Sequence, residues 1–200
     1  MPNLDASTRD RILAIASTVF YQKGLSGARM QEIADLAGIN KAMLHYYFKS
    51  KEQLFDTVFR GALGQFLGGI APVLNGEAPL PEKIAQYVAY TTDALAENPA
   101  LAAFIVHELQ QHPERLTAQF GQQALVDWPA FRQQLAATGH PRHQAPNAAE
   151  HLFANIVALC VYPVLAQPLL RRIMHKTEAQ YRSFLKERQL LITQMLLQQL

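Results

Sequence analysis

The chain has one cysteine and one tryptophan in 200 residues. A lone Cys160 cannot close an internal disulfide, so no cystine framework holds this protein, and the reading fits a reducing, cytoplasmic setting. There is no Gly-rich phosphate loop and no G-x-S-x-G, which removes two common signatures of nucleotide and hydrolase chemistry. No segment alternates polar and apolar residues in the manner of a half-buried strand, and no internal repeat is visible. The longest apolar run, Leu152 to Ala166, is interrupted by Asn155 and Pro163 and falls short of the roughly 20 residues a bilayer requires. The N-terminus, MPNLDASTRD, lacks the basic-then-apolar order of a secretory signal. Charge of either sign is modest: 18 Lys+Arg against 16 Asp+Glu, a formal net charge of +2. With half of its residues hydrophobic, the chain is neither disordered nor membrane-embedded, and it is long enough for one or two domains with a real core.

What is present is helix, from end to end. Ser7-x-x-Asp10 has the form of a capping box. Ile12, Ile15, Ala16, Val19 and Phe20 then recur at helical spacing. Gly24 closes this helix where a left-handed residue is wanted. A short helix near 30–36, a turn at Gly38 and a third helix near 40–48 follow. Ser50-x-x-Gln53, a second capping box, opens a long helix with Leu54, Val58, Leu63 and Phe66 on or near one face. Pro72, Gly76, Pro79 and Pro81 break the chain. Five more helices are expected at 82–97, 100–111, 115–137, 148–167 and 178–199, punctuated by Asn98-Pro99, His112-Pro113 and Gly139-His140-Pro141. The expectation is an all-α protein of about nine helices, with a domain of three helices over 1–52 and a larger helical domain over 53–200.

The segment from Gly24 to Leu54, GLSGARMQEIADLAGINKAMLHYYFKSKEQL, carries the most information. A helix-turn-helix needs a small residue where its helices cross, a Gly-like residue in the tight turn, and apolar anchors for the second helix. Ala34, Gly38 and Ile39 meet these needs in order. Ile33 and Leu36 can face the first helix. Leu44 and Phe48, four apart, turn one face of the third helix into the core. Ala42, Met43, His45 and Tyr46 then point outward, flanked by Lys41 and Tyr47. Such a face is odd in water and suits the major groove of DNA. Ala42 and Met43 offer methyl groups to thymine, and Lys41 can reach guanine or a phosphate. His45, Tyr46 and Tyr47 can donate to phosphate oxygens. Lys51, in the first turn of the next helix, joins that helix's amides at the DNA backbone, and Gln31 can do likewise. Charge agrees: residues 23–51 carry 5 basic against 2 acidic side chains.

GARMQEIADLAGINKAMLHYYFKSKEQLF closely resembles the N-terminal domain of the TetR (tetracycline-repressor-like) transcriptional regulators, over roughly residues 8–59. The resemblance implies an all-helical homodimer that binds a palindromic operator, with a ligand pocket in the C-terminal domain and a dimer interface on the last two helices. By position, Gln31, Lys41, Ala42, Met43, His45, Tyr46, Tyr47 and Lys51 match family DNA-contact positions. Two departures stand out. Met30 sits where the family often has Thr, removing a hydroxyl contact to phosphate, and His45 stands where Tyr is most common.

Beyond residue 59 the sequence is less specific. Tyr87 and Tyr90, Phe104 and His107, and Trp128 and Phe131 form three pairs spaced three apart, and Cys160 lies on an apolar helix. These seven residues can line a pocket for an aromatic or lipophilic molecule, or can be ordinary core. His107-Glu108 with His112 is one residue too long for H-E-x-x-H: a spacing of five sets the two imidazoles about 140° apart on a helix. His140 and His143 occupy a Pro-rich loop. No metal or cofactor is expected, and no catalytic constellation is visible.

Helix 148–167 is apolar nearly all round. Leu185, Leu190, Leu191, Met195, Leu196 and Leu200 form a band on 178–199. Two such helices from each of two subunits make a four-helix bundle about a twofold axis. The expected function is a ligand-responsive, sequence-specific DNA-binding regulator, a repressor released from a palindromic operator by a small molecule. The alternatives are an activator, or a small-molecule enzyme with a vestigial DNA domain.

Overall fold

A computed structural model describes residues 4–120 and 125–200. Among them are eleven α-helices, one 3-10 turn and no strand. The helices are α1 (Leu4–Gly27), α2 (Met30–Leu36), α3 (Lys41–Tyr47), α4 (Lys51–Asn75), α5 (Leu80–Glu97) and α6 (Pro99–Gln111). They continue with α7 (Glu114–Phe120), α8 (Trp128–Ala136), α9 (Ala148–Leu165), α10 (Gln167–Ile173) and α11 (Glu178–Leu197). The 3-10 turn spans Pro141–Gln144, between α8 and α9.

The chain divides into two compact units. One holds Met1–Gln65 with Ala103–Gln119; the other holds Phe66–Ala102 with Phe120–Leu200. In the first unit, Ile12, Ala16, Val19 and Phe20 of α1 are buried with Ile33, Ala34, Leu44, Phe48 and the Leu54, Phe55, Val58, Phe59 stripe of α4. Phe20 meets Phe55 edge to face at 5.0 Å, and Phe104 meets Phe55 and Phe59 at 5.4 and 5.7 Å. Arg115 lays its guanidinium over Phe55 and Phe59 and pairs with Asp56 at 2.9 Å.

The second unit is built on α5, which packs most extensively against α11 and α9. Leu95, Ala102, Val164, Tyr181 and Leu185 form a buried cluster there. The Tyr181 hydroxyl donates to the Pro163 carbonyl at 2.7 Å. That oxygen lies in the last turn of α9, where carbonyls lack helical partners.

Several helix boundaries differ from the sequence reading, each for a local reason. Helix α1 starts at Leu4, so Ser7 lies inside it and caps nothing. Gly24 does break α1, at φ 64°, though helical turns resume to Gly27. Helix α4 runs through Pro72 to Asn75. Pro72 is exposed, so water can satisfy the carbonyl its missing N–H leaves free. The single helix expected over 115–137 is two: Asp127 accepts from the Ala130 amide and caps α8, with Pro129 in its first turn. Residues 121–124 of that span lie outside the described residues. The helix expected to end at 167 ends at Leu165, and a separate α10 follows. Thr177 and Gln180 close a full capping box at the start of α11. These two additional helices account for the excess over nine.

By length and composition α4 and α9 could each cross a bilayer. Their apolar faces instead contribute to the buried cores just described.

Candidate nucleic-acid interface

The turn between α2 and α3 is fixed by backbone chemistry. Gly38 adopts φ 66°, a conformation that costs other residues strain. The Ile39 amide donates to Ala34 O at 3.0 Å and the Gly38 amide to Asp35 O at 3.1 Å. This paired closure satisfies the orphan carbonyls at the end of α2. Asn40 then caps α3, its Oδ1 accepting from the Met43 amide at 2.7 Å. The turn thus ends one helix and starts the next within four residues, which fixes the angle of α3.

Leu44 and Phe48 are buried, and the opposite face of α3 is in solvent. Lys41, Ala42, Met43, His45 and Tyr46 are all exposed, Tyr46 by 77% and Met43 by 43%. Tyr47 is half-buried and stacks edge to face on Tyr46, ring centroids 5.4 Å apart. Six of the eight DNA-contact candidates therefore share one short helix. The other two flank it and are held by partners. Gln31 donates to Asp35 at 2.7 Å. The Lys51 ammonium donates to the Ala28 carbonyl at 3.3 Å, so its reach toward a phosphate exchanges that contact.

The box at Ser50 is shifted by one residue. The Gln53 amide donates to Ser50 Oγ at 3.1 Å, but the Gln53 side chain accepts from Lys49 N rather than from the cap's own amide.

The seven pocket candidates are divided between the two units. Phe104 and His107 belong to the first unit, Phe104 buried among aromatics and His107 exposed. The other five are in the second unit. Trp128 and Phe131 pack with Phe153, at 5.4 and 6.4 Å respectively. Tyr90 stacks near Phe66 at 6.2 Å.

Tyr87 and Cys160 are both buried. Burial pushes the Tyr87 phenol up to about 12, with Cys160 adding to the rise. A nearby Thr91 hydroxyl opposes it, yet Thr91 Oγ1 has no partner in hydrogen-bonding geometry. Burial likewise lifts the Cys160 thiol to about 12, against the pull of Arg188. Both groups are neutral near pH 7, and the thiol has no thiolate character to support nucleophilic chemistry.

Sequence reasoning missed two polar members of this region. Lys83 is 2% exposed; burial lowers its pKa and the charge of Asp127 opposes the shift. Thr91 is fully buried. Lys83, Tyr87 and Thr91 are spaced four apart along one face of α5, and that spacing was the available signal. No cluster of three or more His, Cys, Asp or Glu fit for a metal occurs among the described residues.

This geometry defines an all-helical protein with an N-terminal helix-turn-helix, whose second helix offers a solvent-facing set of methyl, imidazole, phenol and ammonium groups. Residues 12–58 match the model of bacterial regulatory proteins of the tetR family. That segment carries a TetR-type N-terminal domain.

Among curated proteins it is 37% identical over 83 residues to the HTH-type transcriptional repressor KstR2 of Mycolicibacterium smegmatis, covering 42% of this chain and 40% of that one. It is 33% identical over 101 residues to the HTH-type transcriptional repressor NicS of Pseudomonas putida, covering 50% and 48%. It is 32% identical over 104 residues to the HTH-type transcriptional regulator RutR of Escherichia coli, covering 52% and 49%. These matches span less than half the length of each relative. The fold likeness runs further. The fatty acid degradation regulator FadR of Bacillus halodurans superposes with a TM-score of 0.59 over 93% of this chain and 94% of that one, at 20% identity. The SCO4942 protein of Streptomyces coelicolor gives 0.63 over 94% and 97%, at 18% identity.

Proposed function

We propose that this protein is a cytoplasmic, sequence-specific transcriptional repressor that binds a palindromic operator as a homodimer and is released by a small lipophilic or aromatic effector. The observation that carries the reading is the exposed face of α3, held at a fixed angle by the Gly38 turn and the buried Leu44 and Phe48. Residues 1–52 act as the reader, and 53–200 bind the effector and the second subunit. Lys41, Ala42 and Met43 meet base edges in the major groove, while His45, Tyr46, Tyr47, Gln31 and Lys51 hold phosphates. Two such helices enter successive major grooves about 34–36 Å apart.

Dimerisation is supported by apolar side chains left in solvent on the last helices. Leu190, Leu191 and Met195 of α11 are 69, 55 and 48% exposed, and Leu169 and Ile173 of α10 are 55 and 62% exposed. An exposed apolar patch of this kind marks an interaction surface. The effector works only through a difference in affinity between DNA-competent and DNA-released states. KstR2 and NicS are named as transcriptional repressors, which favours repression over activation.

The test is selection of bound sequences from random duplex DNA at near-physiological salt, with protein shown to be folded and dimeric. Recovery of a two-half-site palindrome is the expected result, and its footprint supplies the operator for effector screening. Failure to enrich any sequence, or enrichment of a single unpaired half-site, would overturn the dimeric-repressor reading.

A further inference from the structure

The first unit contains a cleft of about 570 Å³ between the end of α1 and residues 103–108 of α6. That volume is in the range of small-molecule sites. Phe20, Tyr21 and Phe104 give it an aromatic wall, with the Tyr21 and Phe104 rings 4.9 Å apart. Gly24, the left-handed break in α1, forms part of its rim.

Glu108 lines the same cleft and is only 8% exposed. Among the described residues nothing donates a hydrogen bond to its carboxylate and nothing forms an ion pair with it. The cleft's own lysine, Lys23, is already paired with Glu32 at 2.5 Å. The carboxylate, enclosed by the cleft and without a protein partner, is open to a ligand's donor.

The chemistry selects the occupant. An anion would be repelled. A metal ion lacks ligands, because His107 is the neighbouring helical position, about 100° away around α6, and no third donor group forms a cluster with it. An ammonium suits both parts of the cleft, pairing with the carboxylate and lying against ring faces.

We propose that this cleft is a binding site for a small organic cation with an aromatic or apolar body, the ammonium held by Glu108 and the body by Tyr21 and Phe104. The site is distinct from the buried Tyr87 and Cys160 region of the second unit. Phenethylamine, cationic at pH 7, is the probe, and phenylacetate is its anionic counterpart.

Binding is measured by calorimetry and ligand-observed NMR on the full chain, for wild type, Glu108→Gln and Ala103→Phe. Ala103 is exposed and lines the cleft, so a phenyl group there fills the space without entering the core. The wild type is expected to bind the amine and not phenylacetate. Glu108→Gln is expected to weaken binding at least about tenfold, the scale of losing one charge-assisted hydrogen bond. Circular dichroism should be unchanged, since no protein group is held by the Glu108 carboxylate. Loss of binding in either folded variant supports the site. Absence of binding to wild type, equal binding of phenylacetate, or amine binding that survives both substitutions would overturn it.

Discussion

Helices α3 and α5 both carry polar and ionisable groups, exposed to solvent on α3 and buried on α5. On α3 the phenol, imidazole, thioether and ammonium are in water, and only Leu44 is fully buried. On α5 the ammonium of Lys83, the phenol of Tyr87 and the hydroxyl of Thr91 are buried among apolar residues. Exposed groups on α3 can therefore change with little effect on folding, because the core does not pack on them. Groups on α5 report on folding when changed, because each has been taken out of water. A face that meets a partner of fixed shape, such as duplex DNA, can be presented in advance. An interior that meets a small molecule must also serve as a core while empty.

The largest effect expected from this contrast is on the α5 side, through two adjacent glycines of α4. A Cβ at Gly69 would lie 2.1 Å from the Tyr90 ring, while one at Gly68 meets nothing within 4 Å. Alanine in a helix interior is favoured over glycine by about 1 kcal/mol. Overpacking costs about 1–3 kcal/mol. Gly68→Ala should therefore raise the unfolding midpoint, and Gly69→Ala should lower stability by up to about 2 kcal/mol net. Restoring Gly69→Ala with a smaller side chain at Tyr90 should recover most of the loss. If both glycine variants moved the midpoint in the same direction, the close approach of Tyr90 would not be a real constraint.

On the α3 side the effect should appear in affinity alone. Tyr46→Ala removes a 77% exposed side chain, so the thermal midpoint should stay within the small range typical of surface substitutions. Operator affinity should fall about tenfold, as for loss of one good contact to DNA. Fluorescence anisotropy with the selected operator measures this, and gel filtration checks that the dimer persists. Wild-type affinity in the variant would mean that α3 does not dock by this face.

The same contrast explains what could be read from the sequence. The helix-turn-helix was legible residue by residue because its requirements are local. Gly38 for the turn and Leu44 with Phe48 as anchors lie within eleven residues, and the Asn40 cap between them is local too, though the expected helix ran through it. The capping of α8 by Asp127 was legible too, with Pro129 behind it, but apolar periodicity through 115–137 obscured it. Helix α10 was missed because it follows α9 after one residue, so that the apolar run reads on through Pro168, its first-turn proline. The polar stripe on α5 was in plain sight at spacing four, but burial of Lys83 and Thr91 depends on α8, α9 and α11, which come 40 to 100 residues later. No local pattern encodes that.

A smaller effect is expected where α11 is fastened to α9. Tyr181 is fully buried and its only polar atom donates to Pro163 O. Tyr181→Phe keeps the packing and leaves that carbonyl without a donor, for a loss of about 1 kcal/mol. Chemical denaturation should show a lower midpoint with an unchanged slope. No change at all would mean that another donor or water replaces the phenol.

The smallest effect is the most informative about α5. Thr91 and Thr92 are neighbours, both buried, and differ in one respect. The Thr92 hydroxyl donates to the Val88 carbonyl at 2.6 Å, whereas Thr91 Oγ1 lies near the Tyr87 phenol but has no partner in hydrogen-bonding geometry. Burying an unpaired hydroxyl costs about 1–3 kcal/mol in proteins, and valine has nearly the same shape. Thr91→Val should therefore stabilise the protein by a few tenths to about 1 kcal/mol, while Thr92→Val should lower stability by a similar amount. A hydroxyl retained at a net cost to the empty protein is a hydroxyl with work to do when the protein is occupied. If Thr91 faces the effector, Thr91→Val yields a more stable repressor that needs more effector to leave its operator. If the variant is more stable and its release is unchanged, the buried stripe on α5 is core and the effector binds elsewhere in residues 53–200.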